Sequence, residues 1–395
     1  MATKDLRFLN GDEAVALGVK LSRPEVIAAY PITPQTIAVE KLSEYVDNNE
    51  LDAEYIQVES EHSALAAVMG ASGLGVRTFT ATSSQGLLYM CEVLHYIPGS
   101  RFPVVMMNAN RSLAAPWSIY GDQSDSLAML NTGWIQVYVE NAQEALDMII
   151  QSYKIAEMKK VMLPVMVNLD GFILTHTYEL VEVPCQEDVD LFLPKYQTTN
   201  RMSFENPVNE CITVGPDWHT EFRYQQHIAT ENAADAIKKV DQEFADVFSR
   251  KYYGLAEAYK IEGADAVLIT LGSVTSTVRD VVDTMRNDGK RVGLIKLRFV
   301  RPFPADELRN MLKNCTAVGV LEKDISYGYE GTIYTEVCAA LAKLDKKPLL
   351  KNFIAGLSGH DISTNAIQGM FETLLCNESG KNDLEFVDLR WRKCK

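Results

Sequence analysis

Side chains that could bind or activate a small anionic ligand occur in four short segments of the first 125 residues. Arg111 offers a guanidinium that can hold a carboxylate through two hydrogen bonds. Glu59 and Glu61 offer carboxylates that can accept a hydrogen bond from a ligand or transfer a proton. The segments are "YPITPQT" (30–36), "VESEHSA" (58–64), "TATSSQG" (80–86) and "NRSLAAPWSIYGDQSD" (110–125).

The segment "YPITP" places two prolines around Thr33, between an apolar run and an amphipathic one. Pro31 keeps Tyr30 in an extended conformation. Pro34 suits the first turn of a helix, with Thr33 as the N-cap before it. A helix N-terminus carries partial positive charge and free N–H groups, which suit a carboxylate or a phosphate. Thr33 therefore either caps the helix only or also contacts a ligand.

Plainer explanations exist for the other polar candidates. Glu59 and Glu61 could be solvated carboxylates at the start of a helix. His62 by itself indicates nothing specific. Ser83 or Ser84 could cap the next helix or contact a ligand, and capping is the favoured interpretation.

Arg111 directly follows an apolar run and opens a long irregular loop that contains Trp117. The alternative to ligand binding is an ion pair between Arg111 and either Asp122 or Asp125. Long loops in compact domains are more often functional than incidental. The loop therefore predicts a functional role, but the sequence does not decide whether Arg111 binds a ligand or forms an ion pair.

The elements that must position these residues alternate between strand-like and helix-like runs. Short apolar strands separated by helices predict a mostly parallel sheet that is covered on both faces. The candidate turns then lie at the carboxyl edge of the sheet, where open α/β sheets bind ligands. Four regions are predicted: an α/β domain (1–190), an extended connection with a linking helix (191–255), a smaller α/β domain (256–380) and a tail (381–395).

Composition narrows the class of protein. The formal net charge of −15 over 395 residues argues against binding to nucleic acid or to an anionic membrane. The start of the chain lacks the apolar core of a secretory signal, and no run reaches the roughly 18 apolar residues of a membrane span. The seven cysteines are dispersed without metal-binding spacing. We expect a cytoplasmic protein without a metal of its own.

Several common motifs are missing from the sequence. No GxGxxG opens a βα unit, and neither a Walker loop nor a GxSxG turn is present. The candidate residues therefore predict only half of a site.

Taken together, the quoted segments resemble the alpha subunit of the 2-oxoacid:ferredoxin oxidoreductases, and most closely the pyruvate:ferredoxin oxidoreductase type. The resemblance covers nearly the whole chain, because further segments match in order and spacing. They are "NTGW", "DGFILTHT", "LGSVTSTVRD", "LRFVRPFP" and "AGLSGHDIS".

The resemblance implies the fold and the partners. It implies a thiamine-diphosphate-enzyme pyrimidine-binding domain followed by a domain like the C-terminal domain of transketolases. Thiamine diphosphate would be shared with a beta subunit that holds its diphosphate, Mg²⁺ and an iron–sulfur cluster. Gamma and delta subunits, with further 4Fe–4S clusters in delta, would complete the heterotetramer. The GDG motif that binds the diphosphate in thiamine enzymes is absent from this chain, which fits that division.

The resemblance also implies residue roles. Glu61 matches the glutamate that hydrogen-bonds the aminopyrimidine ring nitrogen, with Glu59 as the less well aligned alternative. Thr33 and Arg111 match residues that hold the carboxylate of the 2-oxoacid. The remaining residues implied beside the cofactor are Tyr30, Pro31, Ser84 and Gln85.

The reaction implied is the oxidative decarboxylation of pyruvate to acetyl-CoA and CO₂, with electrons passed to ferredoxin, or its reverse, as in anaerobic metabolism. Oxalate-using relatives carry arginine where this chain has neutral Thr33, so a monocarboxylate is expected. Trp117 replaces a smaller residue and either narrows the pocket or packs outward. The alternatives are a branched 2-oxoacid such as 2-oxoisovalerate, a thiamine enzyme without iron–sulfur partners, and a non-catalytic structural half.

Overall fold

The computed structural model describes residues 5–205, 207–376 and 383–390. The strands in chain order are β1 (Asp5–Leu9), β2 (Val26–Ala29), β3 (Glu54–Gln57), β4 (Thr78–Thr82), β5 (Val105–Asn110), β6 (Ile135–Tyr138), β7 (Val165–Asp170), β8 (Glu179–Val183), β9 (Ala256–Tyr259), β10 (Ala266–Thr270), β11 (Val292–Leu297), β12 (Phe299–Arg301), β13 (Ala317–Glu322), β14 (Leu349–Ile354) and β15 (Leu384–Phe386).

The helices in chain order are α1 (Gly11–Ser22), α2 (Thr36–Asp47), α3 (Glu61–Gly73), α4 (Ser84–Tyr89), α5 (Cys91–Gly99), α6 (Ser124–Leu127), α7 (Ala142–Ala156), α8 (Gln186–Phe192), α9 (Pro216–Phe248), α10 (Val274–Asn287), α11 (Ala305–Leu312), α12 (Thr332–Leu341) and α13 (Thr364–Cys376). In the described part of the chain, no helix is long and apolar enough to cross a membrane.

The first sheet has the order β12-β6-β7-β5-β4-β2-β3 among the described residues. Its strands run parallel except β12, which pairs antiparallel with β6. Strands β4 to β7 are buried throughout because helices cover both faces. Their carboxyl ends therefore meet at one edge, where the polar turns follow.

The second sheet has the order β15-β14-β13-β10-β11-β9 in the described ranges. Only β9, at one edge, is antiparallel to its neighbour. Helices α10 and α13 pack on one face, and α11 and α12 pack on the other. The predicted class of two parallel α/β units is thus confirmed.

Charged side chains join the two sheets. Lys296, on β11, donates to Glu144 at 2.6 Å and lies 2.9 Å from Glu140. Arg279, on α10, bonds Glu140 through Nε and Nη2. A second connection links Asp170, at the end of β7, to Lys323 Nζ at 2.9 Å. The two units therefore have a fixed relation at the carboxyl edge of the first sheet.

Several elements differ from the sequence prediction. The run "KRVGLIKLRFVRPFP" forms two strands, and its second, β12, joins the first sheet. The helix predicted through "SQGLLYMCEVLHYI" divides at Met90 into α4 and α5. Helix α9 begins at Pro216, well before the periodic run that predicted it. The four domain limits stay a prediction, and residues 381–382 and 391–395 of the tail lie outside the described residues.

Candidate functional site

Arg111 is the centre of the candidate site. It directly follows β5, and its side chain is only 5% exposed. Its Nη1 donates to the backbone oxygen of Thr33 at 2.6 Å, and its Nη2 donates to Gln85 Oε1 at 3.2 Å. The Nε atom is buried and has no partner among the described residues. One guanidinium thus ties together the turns that follow β2 and β4, and its Nε–H is among the N–H groups that remain unused.

The electrostatics around Arg111 agree with a site for an anion. Burial lowers the pKa of the Arg111 guanidinium, while Asp125 and Glu61 act in the opposite direction. The Trp117 ring lies 6.0 Å from the guanidinium carbon, within the usual range for a cation–π contact. The indole is 74% exposed, so it borders the site from the solvent side.

The prediction that Thr33 is a helix N-cap is wrong. The N-cap of α2 is Gln35, and the helix starts at Thr36. The residues before it form a separate turn, because Gln35 N–H donates to Ile32 O at 3.0 Å and Gln35 Nε2 donates to Tyr30 O at 2.8 Å. Pro34 consequently lies in this turn and outside the first turn of the helix. Thr33 is exposed and offers its carbonyl to Arg111.

Glu61 begins α3 and is 8% exposed. Its carboxylate lies against Gly86, where a Cβ would come within 2.7 Å of Glu61 Oε1 and within 2.6 Å of Thr82 Oγ1. No hydrogen bond from another described residue reaches the carboxylate, so it remains free to bind a ligand. A glycine at position 86 is therefore required for the carboxylate to lie beside the Ser84–Gln85 turn.

Glu59 lies outside this arrangement. Its side chain is exposed and accepts a 2.5 Å hydrogen bond from Ser63 Oγ. That bond lowers the pKa of Glu59, as does a bond from its own backbone. Glu59 thus matches the solvated carboxylate that the sequence offered as the plainer explanation, and Glu61 is the one that is buried.

The turn between β4 and α4 carries Ser83, Ser84 and Gln85. Ser83 holds the N-cap position, but its hydroxyl makes no capping bond and is buried without a partner in the described chain. Ser84 Oγ lies 2.6 Å from Gln85 Oε1 and 2.7 Å from the Ser112 carbonyl. The favoured interpretation of these serines as caps is therefore wrong, and Ser84 connects two turns instead.

The alternative of an Arg111 ion pair with Asp122 or Asp125 is not found. Asp125 Oδ2 accepts the backbone N–H of Arg111 at 3.1 Å, and Asp122 accepts from Ser124. Within the described ranges, no carboxylate forms a salt bridge with the Arg111 side chain. Tyr30 and Pro31 are exposed at the end of β2, beside Thr33.

The sequence did not indicate the role of Gln35, and it suggested for Asp125 only an ion pair with Arg111. Gln35 fixes the turn that presents Thr33, and Asp125 binds the N–H groups of both Ser84 and Arg111. A polar residue at the end of a "YPITPQ" turn and a second Asp in "GDQSD" were visible signals. Neither feature of the sequence indicated which backbone groups the Gln35 and Asp125 side chains would hydrogen-bond.

Two solved structures share the two-unit α/β fold of this chain. A solved chain of "2-oxoglutarate:ferredoxin oxidoreductase from Magnetococcus marinus with 2-oxoglutarate, coenzyme A and succinyl-CoA bound" superposes with a TM-score of 0.71 at 21% identity, covering 94% of this chain and 66% of that one. A "Split gene transketolase, inactive beta4 tetramer" gives a TM-score of 0.56 at 11% identity, covering 93% and 98%. The predicted fold class is confirmed.

The particular family follows from sequence comparison. Residues 17–242 match "Pyruvate flavodoxin/ferredoxin oxidoreductase, thiamine diP-bdg", and residues 264–367 match "Pyruvate:ferredoxin oxidoreductase core domain II". "Pyruvate synthase subunit PorA" of Methanothermobacter thermautotrophicus is 48% identical, covering 98% of both chains. "Ketoisovalerate oxidoreductase subunit VorA" of Pyrococcus horikoshii is 44% identical, covering 96% of both. The chain belongs to the pyruvate flavodoxin/ferredoxin oxidoreductase family.

The residues present fit thiamine diphosphate at its aminopyrimidine end. A buried carboxylate without a partner from the described residues, at Glu61, is the acceptor that a protonated ring nitrogen needs. The absent side chain at Gly86 keeps that carboxylate accessible. The partnerless hydroxyls of Thr82 and Ser83 lie in the same turn.

Proposed function

We propose that this chain is the alpha subunit of a pyruvate:ferredoxin oxidoreductase, and that it binds the aminopyrimidine of thiamine diphosphate and the carboxylate of the 2-oxoacid. One observation carries the proposal: the Arg111 guanidinium joins the Thr33 turn to the Gln85 turn, beside the buried carboxylate of Glu61. The 48% identity to a PorA subunit over nearly the whole chain supports pyruvate as the substrate.

Each residue has a defined task in this proposal. Glu61 accepts a hydrogen bond from the ring nitrogen of the aminopyrimidine and so sets its protonation. Arg111 orients the substrate carboxylate, using the Nε that no other described residue engages. Thr33 contacts the same carboxylate, while its backbone carbonyl and Gln85 hold the guanidinium in place. The residues that lie beside the cofactor are Tyr30, Pro31, Ser84 and Gln85. Bound thiamine diphosphate supplies the electron sink for decarboxylation.

The remaining machinery is assigned to partner subunits. The dispersed cysteines support placing the 4Fe–4S clusters on other chains, with the diphosphate and Mg²⁺ held by a beta subunit. Gamma and delta subunits complete the complex, coenzyme A accepts the acetyl group, and ferredoxin accepts the electrons. We place this assembly in the cytoplasm.

A branched 2-oxoacid is the second candidate substrate. The VorA relative is 44% identical over 381 residues, close to the 48% over 385 residues for the PorA relative. The exposed Trp117 beside Arg111 is the residue best placed to discriminate by size. A panel of 2-oxoacids assayed with the intact complex decides between them: the highest kcat/KM for pyruvate supports the proposal, and the highest for 2-oxoisovalerate contradicts it.

The role of Arg111 has its own test. In Arg111→Ala, we expect kcat/KM for pyruvate to fall by about 100-fold, with little change for coenzyme A, because a charge-assisted pair to the substrate is lost. The control is Arg101→Ala, since Arg101 also donates to two carbonyls, of Met162 and Val161, but precedes β5 at the opposite edge of the sheet. Equal losses for both substrates would refute the assignment.

A further inference from the structure

Asp125 is a buried carboxylate between the Ser84–Gln85 turn, which follows β4, and the turn at Arg111, which follows β5. Its side chain is 0% exposed. Oδ2 accepts the backbone N–H of Ser84 at 3.0 Å and that of Arg111 at 3.1 Å. Oδ1 accepts Asn110 Nδ2 at 2.8 Å and Ser126 N–H at 2.7 Å. One carboxylate therefore fixes the backbone of both candidate turns at once.

The backbone at Ser84 depends on such an acceptor. Ser84 has φ of +52°, a left-handed conformation that a residue with a side chain seldom adopts. Its N–H points to Asp125 Oδ2, and its hydroxyl points to Gln85 and to Ser112 on the other turn. These hydrogen bonds stabilise Ser84 in a left-handed backbone conformation that is otherwise unfavourable for a residue with a side chain.

Asp125 is also held without a cation. Within the described residues it forms no salt bridge, and its hydrogen bonds come from backbone and amide N–H groups. Such an arrangement is costly unless every bond is made. A carboxylate used only to stabilise a loop would not require donors from two different strand ends.

We propose that Asp125 is a positioning residue for the 2-oxoacid site, which sets the distance between Gln85 and Arg111. The Nη2 of Arg111 meets Gln85 Oε1 only while the two turns keep their present separation. Loss of the Asp125 carboxylate removes the acceptor that both turns share. The two turns can then move relative to each other, and the Arg111 guanidinium no longer faces the substrate carboxylate. The inference rests on the proposed function, because it acts through Arg111.

The test uses the assembled complex. For Asp125→Ala we expect kcat/KM for pyruvate to fall at least about tenfold, because small displacements of a binding group are costly. We expect kcat/KM for coenzyme A to stay within about twofold of the wild type, since the acyl-transfer step does not use the contact between Arg111 and the substrate carboxylate. Equal losses for both substrates would show a merely structural role and overturn the inference.

Asp125→Asn supplies a conservative comparison, and it carries the test if the alanine variant does not assemble. An asparagine keeps one oxygen for the N–H groups of Ser84 and Arg111. It loses the acceptor for Ser126 N–H and for Asn110 Nδ2. We expect a loss of about three- to tenfold in kcat/KM for pyruvate, less than in the alanine variant. An unchanged value would overturn the inference.

Asp122→Asn is the matched control. Asp122 lies in the same loop and also accepts backbone N–H groups, from Ser124 and Ser358, but it touches neither candidate turn. The Asp122→Asn variant should keep the wild-type ratio of kcat/KM for pyruvate to kcat/KM for coenzyme A. A selective loss of kcat/KM for pyruvate in this variant, as large as in the Asp125 variants, would contradict our assignment. A wild-type complex that oxidises no 2-oxoacid counts against the proposed function, whereas an active wild type with unaffected Asp125 variants counts against Asp125 alone.

Discussion

At the scale of single residues, the candidate site depends on two buried ionic groups, the Arg111 guanidinium and the Glu61 carboxylate. Arg111 was a candidate because it directly follows an apolar run, whereas Glu61 was preferred over Glu59 only through the family resemblance. Thr33 as a helix cap was wrong, because Gln35 bonds back to Tyr30 and Ile32 and forms a turn before the helix. Such contacts depend on side-chain directions that spacing does not encode.

Glu61 gives the sharpest prediction at this scale. In Glu61→Gln the complex should assemble normally, but exchange of the thiazolium C2 proton of bound thiamine diphosphate should slow by at least about 100-fold, because the amide cannot set the protonation of the aminopyrimidine. Proton exchange followed by NMR measures this directly. Glu59→Gln is the control, since Glu59 is exposed and bonded to Ser63. Normal exchange in the Glu61 variant would remove Glu61 from its assigned role.

At the scale of elements, the alternation of strands and helices predicted two parallel sheets, and the structure confirms them. What it did not predict is β12, which leaves the second sheet after Leu297 and pairs with β6 of the first. Both strands have the same apolar pattern, so the sequence alone read them as one. The choice of sheet is made by tertiary contacts, such as the salt bridge of Arg298 to Glu144 just before β12.

The ion network beside these strands makes a prediction for stability. Lys296→Met should lower the free energy of unfolding by about 3–5 kcal/mol, because Glu140 and Glu144 stay buried with one cation fewer. Lys290→Met is the control, since its pair with Glu372 is exposed and should contribute about 0–1 kcal/mol. Urea unfolding at pH 7 measures both. Similar losses in the two variants would contradict the importance of the buried network.

The same network predicts a dependence on pH. Burial raises the pKa of Glu140, but Lys296 and Arg279 outweigh it and lower that pKa to about 2. A carboxyl with a depressed folded-state pKa stabilises the fold above its unfolded pKa of about 4.3 and loses this contribution as the pH falls towards 2. The stability difference between Glu140→Gln and the wild type should therefore shrink between about pH 4.5 and pH 2. A constant difference across this range would show that Glu140 acts through packing alone.

At the scale of the whole molecule, several large apolar side chains in or next to the candidate segments are exposed. Trp117, Tyr89, Tyr120, Ile119 and Tyr30 are between 37% and 74% exposed in the isolated chain. Exposed apolar side chains that lie together are typical of a surface that another protein covers. The missing motifs predicted half of a site, and that interpretation stays a prediction.

A half site makes a prediction about binding. The isolated chain should bind thiamine diphosphate weakly even with Mg²⁺ present, because it provides an acceptor for the aminopyrimidine but no assigned group for the diphosphate. The assembled complex should bind it at least about 100-fold more tightly, since the phosphate contacts add charge-assisted hydrogen bonds. Calorimetric titration of both preparations at the same Mg²⁺ concentration measures the ratio. Equally tight, Mg²⁺-dependent binding by the isolated chain would mean that it holds the diphosphate itself, and the division of the cofactor between two subunits would then be wrong.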